Sequence, residues 1–488
     1  MRTHSCAAGH QCRAVVLRFL LARDIHGKCG RARQRAHLLQ MNRTQVQAFA
    51  REPETPEQIF ARTSAREVQL SHLLIFFISG GLLFMLLPGT FLGVWNLISI
   101  SGRRAADSIS PSWIQAHGHA QVLGWIGSFI LGIGYYSIPK LRRSQPFAVG
   151  SAWFAGTLWM AGVLLRWFAN VYLWQWRVLL PISATFELAA FLMFFRAVSQ
   201  HKPQDSGKPK LDWIIVVIVG AIGLLVTLVL NLGACVWLSL RLSSPAFPQA
   251  FDQGFLIVAA WGFMVFFVWG FSAKWLPVFL GTHDPDDRLL GIAVASQVVA
   301  VGFGLAGILR TATALLVVSS ALAILALKIF SRPKQAAKTK GVHISFPIFV
   351  RSAYVWLMIA ALLGVWAANA TNSSGIWGAS RHALTVGFVA MMVFCVGQRV
   401  LPAFSGMRLL FSSKLMFAGL LLLTVGCALR VSGEVLAYQE IVAAAWTWLP
   451  YSAILELSAV TIFAINLALT FMQKPAPQQL RATNVYSR

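Results

Sequence analysis

The 488-residue sequence is poor in charge: only 12% of residues are Asp, Glu, Lys or Arg, about half the share usual in a soluble globular chain. A solvated surface for a chain of this length would need more. Acidic residues are scarcest, 16 against 41 Lys and Arg, a net charge of +25. Paired cysteines are also missing. The six cysteines form no CxxC, no CxxCH for covalent haem attachment and no paired spacing, which argues against a disulfide framework; Cys6, Cys12 and Cys29 lie near the N-terminus, and Cys235, Cys395 and Cys427 in apolar segments. A cleavable signal peptide is lacking too, because the apolar run Ala14 to Ala22 is short and broken by Arg18.

What is abundant is apolar surface. Hydrophobic residues make up 57% of the chain and mean hydropathy is +0.66, the balance of an integral membrane protein. Runs long enough to cross a hydrocarbon core of ~30 Å start near Leu73, Trp113, Phe147, Gln175, Trp213, Gly254, Leu289, Thr311, Phe346, His382, Leu415 and Trp448. The pattern predicts an all-α polytopic protein of about twelve transmembrane helices, its membrane domain covering 67–474. Residues 1–66 read as a basic, poorly ordered extension with Met41 as an alternative start, and 475–488 as a polar tail. The four histidines and three cysteines of the extension lack metal-like spacing.

The basic residues mark topology rather than a nucleic-acid surface. Arg62 and Arg66 precede helix 1, Lys140, Arg142 and Arg143 follow helix 2, and Arg196, Lys202, Lys208 and Lys210 follow helix 4. Arg332, Lys334, Lys338 and Lys340 follow helix 8, and Arg408 and Lys414 follow helix 10. The positive-inside rule then places both termini in the cytoplasm of a multi-pass protein of the inner (cytoplasmic) membrane, with Arg103-Arg104 as the main exception.

An internal repeat runs through this pattern. Helix 2 has His119 followed by Gly124, Gly134 and Pro139; helix 10 has His382 followed by Gly387, Gly397 and Pro402, at identical offsets. Counting back from Pro277 in helix 6 gives Gly262 in frame and Ile257 at the histidine position. A second pair agrees: Pro181, Ser183 and Glu187 in helix 4 match Pro450, Ser452 and Glu456 in helix 12. These offsets imply three successive four-helix units, the middle one having lost the polar residues.

Ionisable groups inside spanning helices are costly and mark functional candidates. His119 and His382 share a frame and a depth, and two imidazoles on opposite sides of a macrocycle hold a b-type haem without covalent attachment. The plainer alternative is interhelical hydrogen bonding. His117 precedes His119 by two residues, about 200° around a helix of 3.6-residue period, so it is expected at a second centre, copper or another haem, or at the headgroup boundary. Glu187 and Glu456 are candidates to steady a histidine or relay protons. Arg166, Arg177, Arg310, Arg381 and Arg430 fall near outer helix ends, where anionic haem propionates would explain them and snorkelling to headgroups explains them equally. Arg381, beside His382, is the best placed.

The residues His117-Gly-His119-Ala with Gly124 and Pro139, and Arg381-His382-Ala-Leu-Thr-Val-Gly387 with Arg399, resemble the NnrS family of haem-copper membrane proteins, distant twelve-helix relatives of the catalytic subunit of haem-copper oxidases. The resemblance runs from helix 1 to helix 12. It implies haem, with copper as a second cofactor, and a link to nitric oxide metabolism or tolerance, or to electron transfer with a redox partner. The oxidase pattern itself is incomplete here: helix 6 has Ile257 and Trp261 but no histidine, helix 7 has no His-His pair, and helix 10 has one histidine where oxidases have two. An oxidase or nitric oxide reductase subunit is therefore the second reading, and a haem-free twelve-helix secondary transporter the third.

Overall fold

The computed structural model describes residues 56–105, 108–141, 147–199 and 213–475. The expectations for residues 1–55, including the Met41 start and Cys6, Cys12 and Cys29, and for the tail from 476 on, lie outside the described residues. Contacts divide the chain into Met1–Thr63 and Ser64–Arg488, and the helical body is the second unit.

Among the described residues twelve helices are long and apolar enough to span a bilayer: α1 Ala61–Arg103, α2 Pro111–Leu141, α3 Val149–Tyr172, α4 Trp176–Ser199, α5 Trp213–Arg241, α6 Gln249–Leu280, α7 Asp287–Leu305, α8 Leu309–Ala326, α9 Phe346–Asn369, α10 Ser374–Phe404, α11 Ser413–Tyr438 and α12 Ala445–Met472. The chain is a multi-pass membrane protein. Among the described residues there is no strand, as expected where every backbone polar group must be satisfied within its own segment. Helix α1 is already formed at Pro56, inside the stretch assigned from sequence to the extension. Helix α10 begins at Ser374 rather than near His382 because six of its first eight residues are small or polar, which hides the turn from a hydropathy reading.

Local chemistry sets several of the helix ends. Asp286 accepts from the backbone N–H groups of Arg288 and Leu289 at the start of α7, and Ser412 accepts from Leu415 N at the start of α11. Gly281, with φ 69°, ends α6 in the left-handed conformation that other residues avoid.

The three-unit repeat is visible in the packing. Hairpins α3–α4, α7–α8 and α11–α12 pack along their length, and neighbouring units meet at α4–α5, α8–α9 and α12–α1, closing a ring. The second helix of each unit lies inside that ring. In α2, α6 and α10, 83%, 78% and 72% of the spanning window is buried, against 33–50% in the other nine helices. These inner helices also keep one register. They begin at Pro111, Gln249 and Ser374, each eight residues before His119, Ile257 or His382. Each then passes into a π-helical turn on the next residue, Ala120–Gly127, Val258–Met264 and Ala383–Ala390. A π turn widens the helix by one residue and turns side chains inward, which is why such turns gather at functional sites. Outer helices present Leu83, Leu87, Phe91 and Trp95, among many others, on the apolar surface that faces lipid.

Candidate functional site

A cavity of about 420 Å³ lies among the first turns of α2, α6 and α10 and reaches α1, α3, α5, α11 and α12. Its wall contains His117, His119 and His382 together. His117, expected from the helical wheel on the opposite side of α2 from His119, also lines this cavity. Helix α2 lies inside the ring, and the π turn of α1, Met85–Phe91, with its Pro88, lies beside it.

The three rings are held differently. His117 Nδ1 is 2.8 Å from the carbonyl of Gly89, in the π turn of α1, and so donates its proton there. It packs on Gly93, where a Cβ would come within 2.6 Å of the ring. His382 and Arg430 lie within electrostatic reach of His117. His382 Nδ1 is 2.9 Å from the Gly378 carbonyl and 3.0 Å from Glu434 Oε2, so it too carries its proton on Nδ1. Arg430 Nη2 approaches His382 Nε2 at 3.3 Å, and Arg430 Nε lies 2.9 Å from Glu434 Oε1. His119 has the opposite arrangement, with Nε2 committed to Glu187 Oε1 at 2.7 Å.

Behind His119 the polar chain continues. Asn231 on α5 donates to Glu187 Oε2 at 3.2 Å, and Arg166 Nη1 reaches Asn231 Oδ1 at 3.4 Å and Cys235 Sγ at 2.6 Å. Arg166 is only 1% exposed and lies over the Phe247 ring, its carbon 4.7 Å from the centroid. A buried guanidinium is tolerable because thiol, amide and aromatic face partly replace its water.

The repeat extends further than the sequence reading took it. Gly162 and Arg166 on α3 match Gly426 and Arg430 on α11. Each glycine makes room for a glutamate: a Cβ would lie 2.8 Å from Glu187 Cγ at position 162, and 2.9 Å from Glu456 Cγ at position 426. Glu456 nevertheless meets no histidine. It lines the cavity with Oε1 buried and without a hydrogen-bond partner. Four residues after each arginine the copies diverge, with Asn170 on α3 and Glu434 on α11.

Arg381 lies on the same cavity wall, hydrogen-bonded through Nη2 to Gln253 Oε1 and within electrostatic reach of Asp252. Arg177 and Arg310 are exposed and away from the cavity. Glu434, Asn231, Cys235 and Gln253 were missed as site residues. Only Glu434 carried a signal, a carboxylate four residues after Arg430 in an apolar helix.

The residues fit a haem better than a copper ion. Two imidazoles with Nδ1 bound leave two Nε2 lone pairs at one cavity, and Trp125 Nε1 and Glu456 Oε1 are buried polar atoms without a partner on its wall. Among the described residues no three His, Cys, Asp or Glu side chains come together as a metal-binding group. The copper implied by the resemblance thus finds no set of three such ligands among the described residues.

The model of a family described as a domain of unknown function (DUF8744) matches residues 218–469. No curated protein matches the sequence. Among solved structures, one chain of a heme-copper terminal oxidase dimer determined by cryo-EM superimposes with a TM-score of 0.63 over 84% of this chain and 85% of its own, at 13% identity. The fold is haem-copper oxidase-like.

Proposed function

We propose that this chain, which belongs to the DUF8744 family and has a haem-copper oxidase-like fold, is a haem-binding membrane protein that holds a b-type haem between α2 and α10. The observation that carries the reading is the matched state of two rings. His117 and His382 both donate from Nδ1 and keep Nε2 as an acceptor at one cavity. A ligating imidazole commonly has that arrangement, its second nitrogen fixed by a carbonyl or carboxylate. The sequence argument placed His119 opposite His382. With its Nε2 on Glu187, His119 instead belongs to the cavity's polar wall, and His117 takes its place in the pair.

A bound haem would supply reversible one-electron chemistry or an iron site for a small molecule. The chain's own residues do the rest. The Gly89 carbonyl fixes the ring of His117, and Glu434 fixes that of His382 while adding negative charge to it. Arg381 offers its guanidinium to an anionic propionate, and Trp125, Leu123 and Met264 exclude water from the apolar side of the cavity. The resemblance to NnrS points to nitric oxide metabolism or tolerance as the setting, with electron transfer to a redox partner as the other use of the same site. The basic loops after the even-numbered helices are read as cytoplasmic, which puts the cavity in the outer half of the inner membrane.

Optical spectroscopy of the purified full-length protein tests this. A Soret band is expected, lost when His117 and His382 are both replaced by alanine and kept in His119→Ala. A colourless wild-type protein, or a double variant with unchanged haem content, would sink the reading.

A further inference from the structure

The two polar clusters beside the cavity differ in where their arginine points. Arg166 is turned to the glutamate of its own unit, through Asn231 to Glu187. Arg430, its repeat counterpart, is turned away from Glu456 and lies against His382 Nε2 and Glu434. Glu456 is left with an unpartnered buried Oε1, within electrostatic reach of that same guanidinium. Arginine combines a flexible stem with five donors, and Glu456 packs on Gly426, one turn before Arg430 on α11, where a Cβ would lie 2.9 Å from its Cγ, so the same cavity wall holds a second acceptor.

The nitrogen at stake is the one iron needs. Because His382 Nδ1 faces two oxygen acceptors, its lone pair is on Nε2, and Arg430 donates into it. One lone pair cannot serve an N–H donor and a metal together. Among the described residues no donor meets His117 Nε2: its hydrogen bond is made by Nδ1 to Gly89.

We propose that His382 is the exchangeable member of the ligand pair: Arg430 competes with iron for its Nε2, Glu456 receives Arg430 when iron has the nitrogen, and when Arg430 has it the vacated iron position takes a small neutral π-acceptor molecule. The inference rests on the haem reading above. Ligand exchange of this kind forms one iron–ligand bond and breaks the iron–His382 bond, which a hydrogen bond from Arg430 replaces; no electron or proton changes hands.

The test uses the full-length protein in detergent, reduced with dithionite and mixed with carbon monoxide, the association rate being read from the Soret shift after haem content has been measured. Removing the competitor in Arg430→Gln is expected to slow carbon monoxide binding about tenfold. Weakening the alternative seat in Glu456→Gln is expected to speed it by a similar factor, the size of one hydrogen bond to a charged group. Equal rates in wild type and Arg430→Gln, or both variants shifting in the same direction, would overturn the proposal. If Arg430→Gln fails to fold with haem, the sign for Glu456→Gln decides alone, and an unchanged or lower rate overturns it. A wild-type protein without a Soret band removes the haem reading and this proposal together, whereas a Soret band with the wrong pair of signs removes only the latter.

Discussion

The first and third four-helix units start from the same frame and solve it differently. In the first, His119 on α2 meets Glu187 on α4, and that glutamate is connected through Asn231 to a guanidinium with no carboxylate hydrogen-bonded to it. In the third, His382 on α10 meets Glu434 on α11, and Glu456, the counterpart of Glu187, is left aside. One substitution separates the two designs. Asn170 stands where Glu434 does, and without a carboxylate on α3 the histidine of α2 turns to α4 instead. The middle unit drops both solutions: Ile257 packs against Gly304, where a Cβ would lie 2.7 Å from its side chain. A repeat thus fixes where polar groups can sit, and single residues decide which of them pair.

Removing Glu187 is the strongest way to break the comparison. His119 and Asn231 bond it, and Asn231 connects it to Arg166, all on the inside of the bundle; deleting one partner of a buried charged network typically costs about 3–5 kcal/mol because the other charge is left uncompensated. Glu187→Ala is expected to lose most of that in an unfolding titration in detergent. Glu456→Ala, at the equivalent place with no hydrogen-bonded partner at Oε1, is expected to cost far less. Equal losses at the two positions would mean that the two glutamates are used alike.

A smaller effect sharpens the role given to His117. In Gly93→Ala the new Cβ lies 2.6 Å from the His117 ring, and overpacking of this kind costs about 1–3 kcal/mol. The ring must move off the Gly89 carbonyl, so the absorption spectrum should change along with stability. Gly102→Ala, where a Cβ meets nothing within 4 Å, should change neither. A spectrum indifferent to Gly93→Ala would take His117 out of the pair.

Much of the fold was readable because its signals are long: twelve apolar runs, basic loops after even helices, and glycines and prolines at constant offsets from His119 and His382. The site was readable only in part. His382 and the cavity-facing frame of α2 followed from the repeat, but a helical wheel of 3.6 residues per turn could not anticipate that α2 is enclosed nearly all round, so that His117 and His119 both reach the cavity. Nor could it anticipate the π turn of α1 that offers Gly89 to His117. Glu434 escaped because the repeat was traced through Glu187 and Glu456, and the carboxylate that pairs with His382 belongs to neither position. Pairing across helices depends on which side chains a third helix leaves free, and single-sequence spacing does not carry that.

The mildest prediction concerns the part of the chain that the comparison leaves out. Every residue lining the cavity lies between Thr90 and Val460, and the three units are complete between Ala61 and Met472. A chain begun at Met41 keeps all of these helices and retains Arg62 and Arg66, the cations at the start of α1. It is expected to insert with the same topology, to melt within about 0.5 kcal/mol of the full chain, as changes away from packed or charged sites do, and to show the same Soret band. Thiol labelling of Lys334→Cys in intact cells with a membrane-impermeant reagent checks the topology in both forms. Protection in the long chain and reaction in the short one would show that the first forty residues help set orientation, and that the loop charges alone do not.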